Sequence, residues 1–279
     1  MSKFINFFKL NIPRKNIAYF FVIIVSIFTF TRFIYFQSSS YLKEQNVYDL
    51  IISMFSNQLV ISYFLFVAYF IFIYNIGSKK EFYKYILIRF KSLKEWYNNY
   101  IFSIIICSIF FTFFLLTICL LESFLTLGFK NEWSEYSLFL SSNSSSGLIF
   151  NPDVFKYIID SITPLQYILM NSLYIIFYFF CIGSIFFILS IIIKNRVWAF
   201  IGVFIINCIN IAAYGSEEVF IRKLSFYNNI ILLGEKSKEF DISLFYNPLI
   251  YWIILSVIIY IIGQIVIYKT DFKFGDNLQ

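Results

Sequence analysis

The stretch SKKEFYKYILIRFKSLKEWYNN, residues 78–99, lies between two long apolar runs and holds the largest concentration of positive charge in the sequence. Some of its side chains recur every three or four residues, the period of one helix face: Phe82, Tyr85, Ile86, Arg89, Phe90, Leu93 and Trp96 or Tyr97. The other face carries most of the lysines. This pattern predicts an amphipathic helix that lies along a membrane surface, with its apolar side in the headgroup boundary.

The composition of the chain is that of a membrane protein. Of its 279 residues, 60% are hydrophobic and only 14% are charged, and the mean hydropathy is +0.77. Several uninterrupted apolar stretches approach or exceed the roughly 20 residues that a helix needs to cross a bilayer. The sequence therefore predicts an all-α polytopic membrane protein, with residues 1–279 forming a single transmembrane domain and no room for a separate soluble domain.

Six spans are predicted, preceded by an amphipathic N-terminal segment over residues 1–16. A long acidic loop, residues 122–164, contains a possible short helix from Pro152 to Ile162. A second long loop, residues 215–247, carries enough apolar side chains to suggest short amphipathic or re-entrant pieces. The predicted spans are, roughly, residues 17–36, 52–76, 100–121, 165–193, 197–214 and 248–268.

The distribution of lysine and arginine predicts the orientation of these spans. One set of connections holds the N-terminal basic residues, the basic stretch 78–99, the turn 194–196 and the C-terminal tail, and most of these connections are short. The alternate set spreads fewer basic residues over much longer segments. By the positive-inside rule the first set is cytoplasmic, so both termini are inside and the two long loops are extracellular.

The net charge of +6 does not indicate nucleic-acid binding, because the basic residues cluster at the ends of apolar runs. Membrane lipids are the expected surroundings. The chain has no histidine, which removes the commonest general base and metal ligand. The four cysteines, which lie inside predicted spans, are interpreted as small apolar residues: Cys107, Cys119, Cys181 and Cys208. We therefore expect no catalytic residue, cofactor or metal in this chain.

An intramembrane enzyme would need a polar constellation within the spans. Most isolated polar residues in such helices bond to their own helix or to a neighbouring one. No acidic residue lies at a predicted mid-membrane depth, which argues against a carboxylate proton relay. The available polar groups are Ser62, Ser103, Ser108, Thr112, Thr117, Asn171, Ser172, Ser184, Ser190, Asn207, Asn210, Ser256 and Gln264.

Several segments together carry a family resemblance. The amphipathic N-terminal segment precedes span one, and the basic, aromatic-ended helix IGSKKEFYKYILIRFKSLKEWYNNYI lies between spans two and three. GSIFFILSIIIKNRVWAF places Ser190, Lys194 and Asn195 around the turn between spans four and five. Semi-apolar segments precede span six, and the tail contains YKTDF. With this topology, the whole chain resembles the membrane subunit of ABC-2-type (exporter-type, type V) ABC transporters, although loop 122–164 is longer than in many relatives.

The resemblance implies a permease subunit that hydrolyses nothing itself. Two such subunits, identical or paired with a sister permease, would enclose a pathway, and separate ABC ATPase subunits binding ATP and Mg would dock from the cytoplasm. The helix 78–99 would be the main coupling helix, assisted by the N-terminal segment and the turn after span four. The residues expected to couple to the ATPase are Lys79, Lys80, Glu81, Arg89, Lys91, Lys94, Lys194 and Asn195.

The leading hypothesis is therefore an ABC exporter permease in a bacterial cytoplasmic membrane, moving an amphipathic peptide of bacteriocin or toxin type, or a lipid-like compound. A stand-alone membrane immunity or sensory protein, which binds a peptide through its extracellular loops, is the alternative from a different class. A membrane enzyme acting on lipids or peptides is a third possibility, weakened by the lack of histidine and of buried carboxylates in the predicted spans.

Overall fold

A computed structural model describes residues 44–74, 92–124, 127–142, 151–234 and 243–269. The N-terminal segment, the first predicted span and residues 78–91 of the basic stretch lie outside these ranges. The regular elements, in chain order, are α1 (Val47–Phe55), a π-helix (Val60–Leu65), α2 (Phe66–Ile73), α3 (Leu93–Phe124), α4 (Glu135–Ser142), α5 (Pro152–Ser161), α6 (Pro164–Ile193), α7 (Arg196–Tyr214), α8 (Val219–Leu224), a 3-10 turn (Leu232–Gly234) and α9 (Ser243–Lys269).

The described part of the chain is helical. Four of its helices, α3, α6, α7 and α9, are long and apolar enough to cross a membrane. The pair formed by α1 and the helical segment Val60–Ile73 passes the same test together but is bent by 70°. The protein is therefore a membrane-embedded helical bundle with four or five apolar spans in the described residues.

Successive spans run in opposite directions, which gives the bundle two different ends. We call the end at which α6 and α7 meet, through Lys194 and Asn195, the turn end. The opposite end, which holds α4, α5 and α8, is called the loop end. α6 lies at the centre of the bundle, packed against α3, α7 and α9. Within its apolar stretch of 18 residues, 72% is buried inside the protein. The corresponding stretches of α7 and α9 are only 22% buried, so these helices present most of their apolar surface outward.

Local capping signals set where several of these helices begin. Thr163 accepts a hydrogen bond from the backbone of Gln166, and the Gln166 side chain accepts one from the Thr163 backbone. Pro164 occupies the first turn of α6, where its missing N–H costs nothing. The Asn151 side chain caps α5 by accepting a hydrogen bond from the backbone N–H of Asp153, and α5 confirms the short helix predicted from Pro152.

The span predicted over residues 52–76 is broken in the structure. α1 ends at Phe55, and the Asn57 side chain accepts hydrogen bonds from the backbone N–H groups of Leu59 and Val60. These bonds start a new helix in a different direction. α6 fixes the break from the side, because Asn171 donates to the carbonyl of Phe55 at 3.3 Å. Polar residues inside an apolar run thus bend the chain where composition alone predicts one straight span.

The end of the predicted surface helix also differs from expectation. The Ser92 hydroxyl accepts a hydrogen bond from the backbone N–H of Glu95 at 3.1 Å, and α3 begins at the next residue, Leu93. Residues 93–99 therefore form the first two turns of the long apolar helix rather than the end of a separate surface helix. Trp96 and Tyr97 are 1% exposed, so they face the protein core and not the headgroup boundary.

The described parts of the segments predicted as long loops pack together as a layer at the loop end. The Asn46 side chain donates to the carbonyl of Glu132 at 2.7 Å, and the Ser137 hydroxyl donates to Asp49 at 2.6 Å. These bonds tie α1 to the segment around α4. The backbone N–H of Asn151 donates to the carbonyl of Leu233 at 2.8 Å, which joins the two loop regions to each other.

Candidate functional site

The predicted coupling residues fall into two groups in the structure. Lys94 is exposed on the first turn of α3, and Lys194 and Asn195 are exposed in the turn between α6 and α7. All three lie at the turn end of the bundle. The others lie outside the described residues: Lys79, Lys80, Glu81, Arg89 and Lys91.

The turn between α6 and α7 is unusually tight. Lys194 has a φ of 57°, in the left-handed region that favours glycine. Asn195 follows in an extended conformation, and its side chain accepts a hydrogen bond from the backbone N–H of Val197 at 2.9 Å. Lys194 therefore ends α6 and Asn195 caps α7, so no further residue separates the two helices.

A cluster of aromatic side chains joins three helices near this end, and we call it the aromatic junction. Tyr100 of α3 stacks on Phe187 of α6, with ring centroids 4.6 Å apart and planes 13° apart. Trp96 and Tyr97 contact the same Phe187 ring at 5.7 Å and 6.3 Å. On the other side, Tyr97 packs against Tyr260 of α9 at 5.5 Å.

Hydrogen bonds fix the register of α3 against α9 in this junction. The Tyr97 hydroxyl donates to the carbonyl of Tyr260 at 3.0 Å. The Tyr260 hydroxyl donates in turn to the Asn98 side chain at 2.9 Å, and it accepts from Gln264 at 2.7 Å. Tyr97 and Asn98, consecutive residues of α3, are therefore both hydrogen-bonded to Tyr260 of α9.

Gly263 makes this close approach possible. A Cβ atom at Gly263 would overlap the Tyr97 hydroxyl and would lie 2.7 Å from the ring carbon that carries it. The absence of a side chain at this position lets Tyr97 reach the backbone of α9. The junction therefore depends on shape as well as on aromatic packing.

Sequence reasoning missed the junction, although the sequence carries part of its signal. Ser92-Leu93-Lys94-Glu95 has the S-x-x-E spacing that is typical of a helix N-terminus, and it precedes an apolar run. That spacing predicts a helix start within the basic stretch. Nothing local to Tyr97 indicates Gly263 or Phe187 as its neighbours, because those residues are far away in the sequence.

A second cluster, the tyrosine–asparagine network, lies deeper in the bundle. The Tyr178 hydroxyl of α6 donates to the Asn207 side-chain oxygen of α7 at 3.2 Å. Tyr227 donates to the same oxygen, and its hydroxyl lies 3.2 Å from that of Tyr178. The Asn207 amide donates to the carbonyl of Ser62 in the π-helix at 2.8 Å. All four residues are at most 1% exposed, so these bonds are made away from water and lipid.

The network draws a loop segment into the bundle. Tyr227 belongs to residues 225–233, which follow α8 and are buried throughout. Trp252 of α9 donates to the carbonyl of Asn229 at 2.9 Å, and its ring packs on Phe226 at 5.7 Å. Burial raises the pKa of the Tyr227 phenol well beyond its ordinary value, so the hydroxyl stays neutral and acts as a donor. The re-entrant piece predicted in loop 215–247 thus packs against α6, α7 and α9.

The polar residues predicted within the spans are used mostly for local bonding. Ser103, Ser108, Thr112 and Thr117 each donate to the carbonyl four residues earlier in α3, as expected for hydroxyls in apolar helices. Asn207 differs because all its side-chain bonds cross to other elements. In the described ranges no cluster of three or more histidine, cysteine, aspartate or glutamate residues could hold a metal ion.

Comparison with known proteins adds one relative. An uncharacterized protein of Halalkalibacterium halodurans is 24% identical over 234 residues, which cover 83% of this chain and 81% of that protein. No family model matches the chain. No solved structure matches it either. The similarity thus extends over most of both chains.

Proposed function

We propose that this chain is the membrane subunit of an ATP-driven exporter of the ABC-2 type, energised by separate ATPase subunits. In this proposal the chain crosses a bacterial cytoplasmic membrane six times, with both termini and the turn end in the cytoplasm and the loop end outside. A second permease subunit, identical or related, completes the pathway. The cargo is an amphipathic peptide or a lipid-like compound, and ATP and Mg are bound by the ATPase chains.

The aromatic junction is the observation that carries this proposal. An ATP-driven permease needs a rigid connection between the surface that receives the ATPase and the helices that enclose the pathway. Here α3, whose first two turns form the end of the basic stretch, packs onto Phe187 of α6 and is hydrogen-bonded to Tyr260 of α9. Movement of residues 78–92 by a docked ATPase would therefore displace two further spans at once.

The exposed coupling residues fit the same arrangement. Lys94 lies one turn from the junction on the outer side of α3, and it is available to a partner. The tight turn at Lys194 and Asn195 presents a second fixed point at the same end. A docked ATPase that contacts both would act on α3, on α6 and on the start of α7.

Copurification with the ATPase encoded beside the gene tests the proposal. We expect a stable complex with the full chain, and we expect reversal of Lys79, Lys80, Lys91 and Lys94 to glutamate to abolish it. Lys156→Glu is the matched control, because Lys156 is an exposed lysine at the opposite end of the bundle. Failure to form any complex, or equal loss of binding in the control, would overturn the proposal.

The Gly263→Ala variant tests coupling to ATP hydrolysis independently of ATPase docking. The added Cβ perturbs Tyr97 without touching an exposed basic residue. We expect this variant to retain the ATPase on copurification but to lose stimulation of ATP hydrolysis in the reconstituted complex. Unchanged stimulation of ATP hydrolysis would mean that the junction takes no part in coupling, and only the docking of the ATPase would still be supported.

The layer at the loop end favours a second candidate, a membrane immunity or sensory protein. Its described segments are joined by the Asn46–Glu132, Ser137–Asp49 and Asn151–Leu233 hydrogen bonds, which hold them together at the end of the bundle where a peptide would bind. Peptide binding by the purified chain without any ATPase, and no ATPase gene nearby, would favour this candidate over the exporter.

A further inference from the structure

The short helix α8 exposes apolar side chains and buries an arginine, the reverse of what a helix facing water shows. Phe220 is 74% exposed, and Val219, Ile221 and Leu224 also face outward. Arg222, in contrast, is only 6% exposed. A helix with an outward apolar face and an inward arginine is suited to an apolar surrounding medium, which for a membrane-embedded protein is lipid.

The position of α8 along the spans supports this surrounding. The carbonyl of Leu224, at the end of α8, accepts a hydrogen bond from the Tyr251 hydroxyl of α9 at 2.7 Å. Tyr251 lies eight residues after Ser243, where α9 begins, which is about 12 Å along a helix. The end of α8 thus lies beside α9, about two turns from the start of that helix at the loop end.

The Arg222 guanidinium has an unused donor in this buried position. Its Nε group has no hydrogen-bond acceptor within the part of the chain that the structure describes. An arginine guanidinium keeps its positive charge in proteins. A buried guanidinium therefore requires an acceptor, preferably an anion.

The last three carbonyls of α8 already accept hydrogen bonds from other donors. The Arg222 carbonyl accepts from the Ser225 N–H, and the Lys223 carbonyl accepts from the Asn229 amide at 2.8 Å. Leu224 is bonded to Tyr251 as described. These bonds also hold the end of α8 in place.

We propose that Arg222 binds the phosphate of an anionic phospholipid whose acyl chains lie on the apolar face of α8. Guanidinium groups match phosphate oxygens in a two-point hydrogen-bonded geometry. The exposed Lys223 adds a second positive charge beside it. Phe220 and Val219 supply an apolar surface that a free phosphate ion would not use, and this favours a lipid as the source of the phosphate.

Native mass spectrometry tests this site without any ATPase, so its outcome is independent of the proposed transport function. The detergent-purified chain is equilibrated with equal amounts of phosphatidylglycerol and phosphatidylcholine, and retained lipid is counted for each variant. We expect wild type to prefer phosphatidylglycerol by about tenfold, the worth of one hydrogen bond to a charged group, and Arg222→Gln to lose that preference. Lys130→Gln, at an exposed lysine of the same end, should retain it.

A conservative variant covers the case in which Arg222→Gln does not fold. Arg222→Lys keeps the charge but loses the two-point geometry, so we expect a weaker but measurable preference for phosphatidylglycerol. An unchanged preference in Arg222→Lys, or in a folded Arg222→Gln, would overturn the proposal. Displacement of phosphatidylglycerol from wild type by millimolar inorganic phosphate would also overturn it, because the site would then bind free phosphate.

Discussion

The aromatic junction and the tyrosine–asparagine network both join α6 to its neighbours, but they do so by opposite physical means. The junction depends on ring packing and on the empty space at Gly263. The network depends on buried hydrogen bonds that meet at the Asn207 side chain. A packed junction is therefore damaged by adding atoms, whereas a polar network is damaged by removing a partner.

The difference also matches their positions. The junction lies near the turn end, where the basic stretch enters the bundle, and it joins helices that all continue to that surface. The network lies in the interior and links two spans, the π-helix and a re-entrant segment. π-Helical turns are frequent where a helix is distorted for function. The helices are therefore joined by close packing of side chains near the turn end and by buried hydrogen bonds in the interior.

The largest effect on stability is expected at the network. Asn207→Leu removes the acceptor shared by Tyr178 and Tyr227 and the donor to Ser62. Several buried polar groups then lack partners, so we expect a loss of about 3 kcal/mol in the free energy of unfolding. The measurement is thermal and denaturant unfolding of the detergent-purified chain.

Thr117→Val is the control for that experiment. The Thr117 hydroxyl is exposed and bonds only to the carbonyl of Phe113 in its own helix. We expect a change within about 0.5 kcal/mol. Comparable losses in the two variants would mean that the network contributes no more than an ordinary local hydroxyl.

A smaller loss is expected from adding volume at the junction. Gly263→Ala forces the buried Tyr97 ring to shift, and overpacking of this kind costs about 2 kcal/mol. Gly202→Ala is the matched control, because the nearest atom to its added Cβ is the end of the flexible Leu189 side chain, at 3.2 Å. If Gly202→Ala were the more destabilising of the two, the close fit at Gly263 would not be the property that stabilises the junction.

The smallest effect is expected at the start of α3. Ser92→Ala removes the acceptor for the Glu95 N–H, which typically costs about 1 kcal/mol at a helix N-cap. Faster amide hydrogen exchange at Glu95, measured by mass spectrometry, should accompany a slight fall in thermal stability. Ser161→Ala, whose hydroxyl bonds to its own helix at Tyr157, should leave exchange in α3 unchanged. Unaltered exchange at Glu95 in Ser92→Ala would show that the hydroxyl does not hold the first turn.

The sequence predicts much of the fold where the deciding interactions are local. Long apolar runs indicate the helices that could cross a membrane, and Thr163-Pro164 and Asn195 mark helix starts through their own side chains. The interpretation of the in-span serines and threonines is confirmed in α3, where each bonds to its own helix. These features follow from residues no more than four positions apart.

The candidate site was predicted only in part, because its contacts join distant residues. Lys94, Lys194 and Asn195 are brought to one end by alternating spans, which the topology predicts. The burial of Trp96 and Tyr97 was not predicted, since an aromatic at helical spacing fits a headgroup boundary as well as a core. The partners of Tyr97 lie 90 residues away or more along the chain, at Phe187, Tyr260 and Gly263.

The sequence alone is enough to predict a helical membrane protein and where most of its long helices lie, because apolar runs and capping signals are formed by residues that are contiguous in the chain. Only the tertiary structure decided the 70° bend in the helix pair after Asn46, the burial of residues 225–233 and the fit of Tyr97 at Gly263. Each of these depends on which helices become neighbours. That choice is made by packing and by buried hydrogen bonds between residues that no local pattern connects.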